Sequence, residues 1–308
     1  MEDPTIPVTT VLLSAAPVRR FAWLHNPSPK TLLIASILLF VVVVLVNVAM
    51  SFSLVKFAFT THGTRVETVE RGVPTWYAFS FGMAKKVEGA PGFAKAPVTV
   101  LEARPYGAEG EYAVLARVPG GEGIALGILH ANNTFENILS DGTTKADLAV
   151  RPDGTALFGA MIDGDSHLML LDLTKSGTLP SDLGRGRSPR VFTDGFFVAV
   201  SNRGIVRIDP ATKDVSVLVP SNDADIYNGT ISVDGTRAAL SLTSGKTLLY
   251  RIEQTSPGAV ALLSTSRFTA LSPVSFVGNK FMIEPSARQL RVYKSAPAFT
   301  KIGSLRVK

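Results

Sequence analysis

The side chains whose type and spacing could do chemistry are few, and most are carboxylates. Asp163-Gly164-Asp165-Ser166-His167 sets oxygen ligands at alternate positions, as calcium loops do. It lacks the glutamate that closes such a loop, and Asp and Gly are also the ordinary residues of a hairpin turn. Asp223-Ala224-Asp225 is a second pair, lying between apolar runs, and Asp147 is a further candidate for a channel-facing carboxylate. The histidines, His25, His62, His130 and His167, are scattered, which argues against a histidine-rich metal site. Cysteine is absent, so a thiolate nucleophile, a disulfide framework and a cysteine–zinc site are excluded. There is no GxSxG elbow, P-loop or HExxH motif. The expectation is a chain without catalytic residues, cofactor or metal, in which Asp163, Asp165, Asp223 and Asp225 are carboxylates of turns, loops or a channel.

Composition narrows the class. The chain has 308 residues, of which 18% are charged and 46% hydrophobic. That is too apolar and too weakly charged for a disordered chain. The formal net charge of +6 is mild and carries no nucleic-acid signature. The basic bias at the end, Arg288, Arg291, Lys294, Lys301, Arg306 and Lys308 with no acid after Glu284, reads as a strand edge kept soluble by cations. Gly184-Arg-Gly-Arg-Ser188 reads as a flexible connection.

Leu32 to Val55 is 24 residues without a charge. A bilayer core needs about 20 helical residues, so the stretch is expected to be a single uncleaved transmembrane helix behind a flexible tail, 1–31. The flanking cations tie, Arg19, Arg20 and Lys30 against Lys56, Arg65 and Arg71. A short tail before a large domain then favours a cytoplasmic N-terminus and an extracytoplasmic domain. Asn47 is the strongly polar residue of the span, with Ser51 on the same helix face. Either it meets a partner helix, or it bonds within its own helix.

The elements that would position these residues repeat. Asp153-Gly154, Asp194-Gly195 and Asp234-Gly235 recur at spacings of 41 and 40, each between short β-type runs. Weaker copies centre on Glu109-Gly110 and Gly278-Asn279. A four-strand unit of about 40 residues is the size of a propeller blade. The expected fold is therefore all-β: a propeller of five to six four-stranded blades over 97–308, with 56–96 a stalk or a partial closing blade, and 304–308 starting a blade that 64–84 completes.

Val150-Arg-Pro-Asp-Gly-Thr followed by Leu170-Leu-Asp-Leu-Thr-Lys-Ser-Gly, with Ser232-Val-Asp-Gly-Thr and Ile208-Asp-Pro-Ala-Thr-Lys, resembles the repeats of TolB-like and related bacterial propellers. The motif marks blade turns and implies no activity. The expected function is a membrane-anchored binding or assembly platform. Its partners would be membrane lipid and a protein or a second copy of the chain, with no nucleic acid. A propeller hydrolase or lyase acting on envelope polymers, or a structural subunit of a membrane complex, are the alternatives.

Overall fold

The computed structural model describes residues 28–70, 73–80, 83–175, 177–220, 226–232, 234–244, 246–253, 260–267, 275–277, 281–286, 289–294 and 300–307, with side chains at fewer positions in the helix and the terminal strands. The chain divides into two units, Met1–Met50 and Ser51–Lys308. Helix α1 covers Pro29–Thr60. Its side chains are described continuously over 32–46, and there they are apolar and exposed, Leu32 at 53% and Phe40 at 69%. Among the described residues no helix is long and apolar enough to cross a membrane. The expected transmembrane span over 32–55 is corrected on that finding, and with it the signal anchor, the single-pass membrane and cell-envelope placement, and the orientation built on them. The side chains of Asn47 and Ser51, the expected helix–helix contact, lie outside the described residues.

The rest is β-sheet. β1 (Thr61–Glu70), β2 (Val73–Ser80) and β3 (Met83–Val87) open the second unit. β4 (Thr99–Pro105), β5 (Tyr112–Arg117), β6 (Ala125–Leu129) and β7 (Phe135–Leu139) form a four-stranded meander. β8 (Lys145–Val150), β9 (Thr155–Ile162), β10 (Asp165–Asp172), β11 (Ser181–Val191), β12 (Phe197–Ser201), β13 (Gly204–Ile208) and β14 (Val215–Pro220) form one seven-stranded sheet. β15 (Ile226–Ile231), β16 (Arg237–Leu242), β17 (Lys246–Ile252) and β18 (Val260–Arg267) make a second meander. β19 (Ser275–Val277), β20 (Phe281–Ser286), β21 (Gln289–Lys294) and β22 (Thr300–Val307) complete a seven-stranded sheet with β1–β3, because β22 runs parallel to β3 with Arg306 opposite Met83.

The mostly-β content matches the alternating runs, but among the described residues no closed barrel or propeller is formed. The five to six equal blades are corrected for a local reason. β11 is eleven residues long and pairs with β10 through one part and β12 through another, so two expected blades are one continuous sheet. The Gly184–Ser188 segment, read as a flexible connection, is that strand.

The sheets pack in chain order. Leu115, Leu126, Leu148 and Phe158 join the first meander to β8–β10. Leu157 and Leu168 meet Phe197 and Ile208. Val198 and Ile205 meet Ile231, Leu240 and Ile252. Ala239 and Leu249 meet Phe276, Met282 and Tyr293. Inner strands are covered on both faces, which is why β6 and β12 are buried at every position, while β7 and β14 at the outside are half-exposed. Each fully buried Phe or Leu contributes about 1.5–3 kcal/mol.

The repeated turns explain the 40-residue period. Gly154, Gly195 and Gly235 have φ of 89°, 85° and 70°. In each, the aspartate before the glycine accepts the N–H two residues on, Thr155 at 2.9 Å, Phe196 at 3.1 Å and Thr236 at 3.0 Å. An Asp-Gly pair supplies both the side-chain acceptor and the left-handed backbone that such a turn needs.

Candidate functional site

Register irregularities stand at corresponding places in β4, β8, β11 and β15, and the first three bear on one cluster. The register shifts between Val100 and Glu102 in β4, between Ala146 and Ala149 in β8, and between Arg187 and Arg190 in β11. A bulge re-aims the side chains next to it. Here the positions concerned are Glu102, Asp147 and the pair Ser188 and Arg190. Asp147 and Ser188 hold φ of 58° and 51°. For a residue with a β-carbon that conformation costs of order 1–3 kcal/mol and persists only where the surroundings enforce it. The Ser188 N–H donates to Asp147 Oδ2 at 3.2 Å, tying the two strained residues together.

The result is an interior polar cluster built by four strands: Glu67 of β1, Glu102 and Arg104 of β4, Asp147 of β8 and Arg190 of β11. Glu102 is 2% exposed. Glu67, Arg104, Asp147 and Arg190 keep some accessible surface, yet burial is the largest influence on the pKa of Glu67, Arg104 and Arg190. Glu102 Oε1 accepts from Arg104 Nη2 and from the Leu148 N–H at 3.0 Å. Arg104 Nε donates to the Leu148 carbonyl at 2.9 Å. These bonds brace β4 against β8. Two groups are left over: Glu102 Oε2 and Arg190 Nε are buried without a partner.

The cluster's fields compete. Burial pushes the Glu67 carboxyl up to about 8, helped by the Glu102 charge and opposed by Arg104 and Arg190. Burial also raises Glu102, against the pull of Arg104. Burial works to lower Arg104, but the carboxylates of Glu102, Glu67 and Asp147 outweigh it and the guanidinium is held above its usual range. Arg190 is lowered, by burial first and by Arg104 second, because its acidic neighbours compensate it less completely. Close by, Trp76 Nε1 donates to the Leu101 carbonyl at 2.6 Å, joining β2 to β4.

A second feature lies on the surface of the first meander. A pocket of about 400 Å³ is lined by Pro91, Phe93, Tyr112, His130 and Asn133 among others. Phe93 and Tyr112 meet edge to face, 5.2 Å between centroids. His130 sits between two carboxylates, Glu111 Oε1 at 2.9 Å from Nδ1 and Glu136 Oε2 at 3.3 Å from Nε2. The hydrogen bond to Glu111 is the main reason its pKa is raised.

The carboxylates singled out in the sequence stand elsewhere. Asp163 occupies the β9–β10 turn at φ 51°, as turn chemistry requires. Asp165 pairs with Arg185 at 2.7 Å, and His167 with Asp182 at 2.9 Å, both across to β11. Asp223 and Asp225 lie outside the described residues. Among the described residues no three metal-ligating side chains gather as a cation site. Of the sequence candidates among the described residues, Asp147 alone is in the interior cluster. Glu67, Glu102, Arg104 and Arg190 were missed, though a signal existed: Asp147, Ser188 and Asn228 each stand six residues before a repeated aspartate, at Asp153, Asp194 and Asp234. The chain matches no protein-family model and no curated protein.

Proposed function

We propose that the β unit is a non-enzymatic recognition platform that holds a protein partner at the pocket beside Tyr112 and His130. The observation that carries this reading is the pocket itself: the edge-to-face pair Phe93 and Tyr112 lines it together with His130, which Glu111 and Glu136 hold. Interfaces of this kind anchor an apolar or aromatic side chain in a desolvated pocket and set orientation with charges at the edge. The partner segment therefore offers an apolar side chain next to a basic one. The test is affinity purification of the full chain beside Glu136→Lys and Tyr112→Ser, both checked for folding by circular dichroism. The reading requires a partner retained by the natural chain and lost by both variants. Retention of the same partners by both folded variants refutes it.

A hydrolase or lyase is the second reading. What favours it is the gathering of Glu67, Glu102 and Asp147 in one cluster, with Glu67 holding a proton at neutral pH as a general acid does. It ranks second because Glu102 Oε1 is committed to Arg104 and Leu148. Loss of any measured polymer cleavage in Glu67→Gln would bring it forward.

A further inference from the structure

Imidazole chemistry decides what His130 can hold. Its two ring nitrogens face different carboxylates, Glu111 Oε1 at 2.9 Å from Nδ1 and Glu136 Oε2 at 3.3 Å from Nε2. A carboxylate only accepts, and a neutral imidazole has a single N–H to give. Both bonds therefore exist together only on the imidazolium. When the proton leaves, one bond survives. The Glu111 bond is the shorter, its carboxylate is 26% exposed against 52% for Glu136, and its Oε2 also accepts the Ala108 N–H at 3.4 Å. That surviving bond ties together the two sides of the pocket, Gly110 and Tyr112 on one and His130 and Asn133 on the other. The pocket thus keeps its tie in either state. What changes is Glu136 of β7, held by His130 in one state and released in the other.

The other titratable neighbour of the two carboxylates is Tyr106, which follows β4. Burial first, and the charges of Asp172, Glu111 and Glu136 after it, raise its hydroxyl above the ordinary value, so it stays neutral while His130 titrates. The hydrogen bond to Glu111, against desolvation, and then the bond to Glu136 raise the imidazole, so the proton is held to higher pH than on a free histidine.

We propose that His130 is a pH switch on binding at this pocket: its imidazolium occupies Glu136 at low pH, and its deprotonation hands Glu136 to the basic side chain of the bound segment. This rests on the platform reading above. Imidazolium and segment compete for one carboxylate, so acidification releases the segment.

N-acetyl-phenylalanyl-arginine amide is a minimal segment of that kind, and the same dipeptide with citrulline is its uncharged twin. Each is titrated into the full chain at about pH 5.5 and about pH 9, on either side of a histidine, with the Tyr112 ring resonances as readout. The arginine dipeptide binds about two- to fivefold more tightly at the higher pH, the scale of one exposed ion pair, and the citrulline dipeptide binds equally at both. His130→Gln keeps a donor for Glu111 but cannot titrate, so in the folded variant the pH difference disappears. His167→Gln, on an imidazole paired with Asp182, retains it. The titration of Glu67 falls in the same window but is common to both dipeptides and every variant. If neither dipeptide shifts Tyr112 at either pH, the platform reading fails and the switch with it. If the arginine dipeptide binds at Tyr112 equally at both pH values, if citrulline shows the same gain, or if folded His130→Gln keeps it, the platform stands and the switch is overturned.

Discussion

Lys145 has no accessible surface, and its ammonium donates to the Ile124 carbonyl and to Thr143 Oγ1, both at 2.9 Å, and to Asp141 Oδ1. Burial lowers its pKa, and the bond to Asp141 works the other way. It is a clamp that ties the loop between β7 and β8 to Ile124 just before β6, and it is fully bonded. Lys145→Met keeps the volume but strands a buried carbonyl, and should cost about 1–3 kcal/mol in a urea melt. Asp141 is 38% exposed and can turn to water, so Asp141→Asn should cost less than Lys145→Met. Equal costs would mean that the ion pair, not the carbonyl contacts, carries the clamp. Glu67 makes a second prediction at this scale. An unfolded glutamate titrates at its ordinary value of 4.5, whereas the folded one holds its proton to about 8. Between those values the folded state binds more protons than the unfolded one, so stability falls as pH rises through this window, and the contribution is gone above it. The neighbours that set the shift are Glu102, Arg104, Arg190 and Asp147. Urea midpoints of the natural chain should drop from about pH 5 to about pH 8.5, and Glu67→Gln should flatten that drop. An unchanged slope in the variant would place the titration elsewhere.

At the scale of elements, glycines in turns and glycines in strands are opposite cases. At Gly195 a β-carbon would have Arg151 as its nearest neighbour, 3.5 Å away, so the position is limited by its φ of 85° and not by space. At Gly186 in β11 a β-carbon would come within 2.5 Å of Leu168 Cδ1 and 2.7 Å of the Val200 carbonyl oxygen. Gly195→Ala should therefore cost about 1–2 kcal/mol of backbone strain. Gly186→Ala should cost more, in the range of about 1–3 kcal/mol or above for overpacking, since a backbone oxygen cannot yield as a side chain does. Paired urea melts decide it, and a smaller loss at Gly186 would contradict the packing of β11 between β10 and β12. The two glycines also show where the sequence is readable. Asp194-Gly195 announces its turn because one side-chain acceptor and one left-handed residue suffice, and most of the strand runs between turns were legible for the same reason. Gly184-Arg-Gly-Arg-Ser188 has the composition of a loop. Only the close approach of Leu168 and Val200 from sheet neighbours explains its glycine, and no local pattern encodes that approach. The interior cluster was hidden likewise. Glu102, Arg104 and Arg190 look like solvated charges until the bulges turn them inward, and the bulges show only as short polar residues six before the repeated aspartates.

Across the whole molecule, the core clusters around Phe158, Ile231 and Phe276 each draw on two consecutive sheets, so the second unit should lose its structure as one. β22 is the sharpest place to test that. It pairs with β21 along six positions and with β3 at Arg306 and Val307. Deleting 300–307 removes both sets of bonds, and at about 0.5–1.5 kcal/mol per hydrogen bond should lower stability by more than about 3 kcal/mol. The loss should appear in β4–β18 as well as in the terminal sheet, read by amide hydrogen exchange. Loss confined to β1–β3 and β19–β21 would mean that the terminal sheet melts by itself.

The parallel pairing of β22 with β3 also dictates when the protein can finish folding. Met83 and its partner Arg306 are 223 residues apart in the order in which the chain is made. At about 5–20 residues per second, β3 waits roughly 10–45 s on the ribosome before its neighbour exists. The sheets from β4 to β18 are under no such delay, since strands that pair there are consecutive in the chain. During that interval the backbone of Met83–Val87 has a bare edge, and a bare edge is what another nascent chain can add to. A chaperone that shields this short strand until translation ends would raise the yield of folded protein, whereas one acting on the completed chain would come too late.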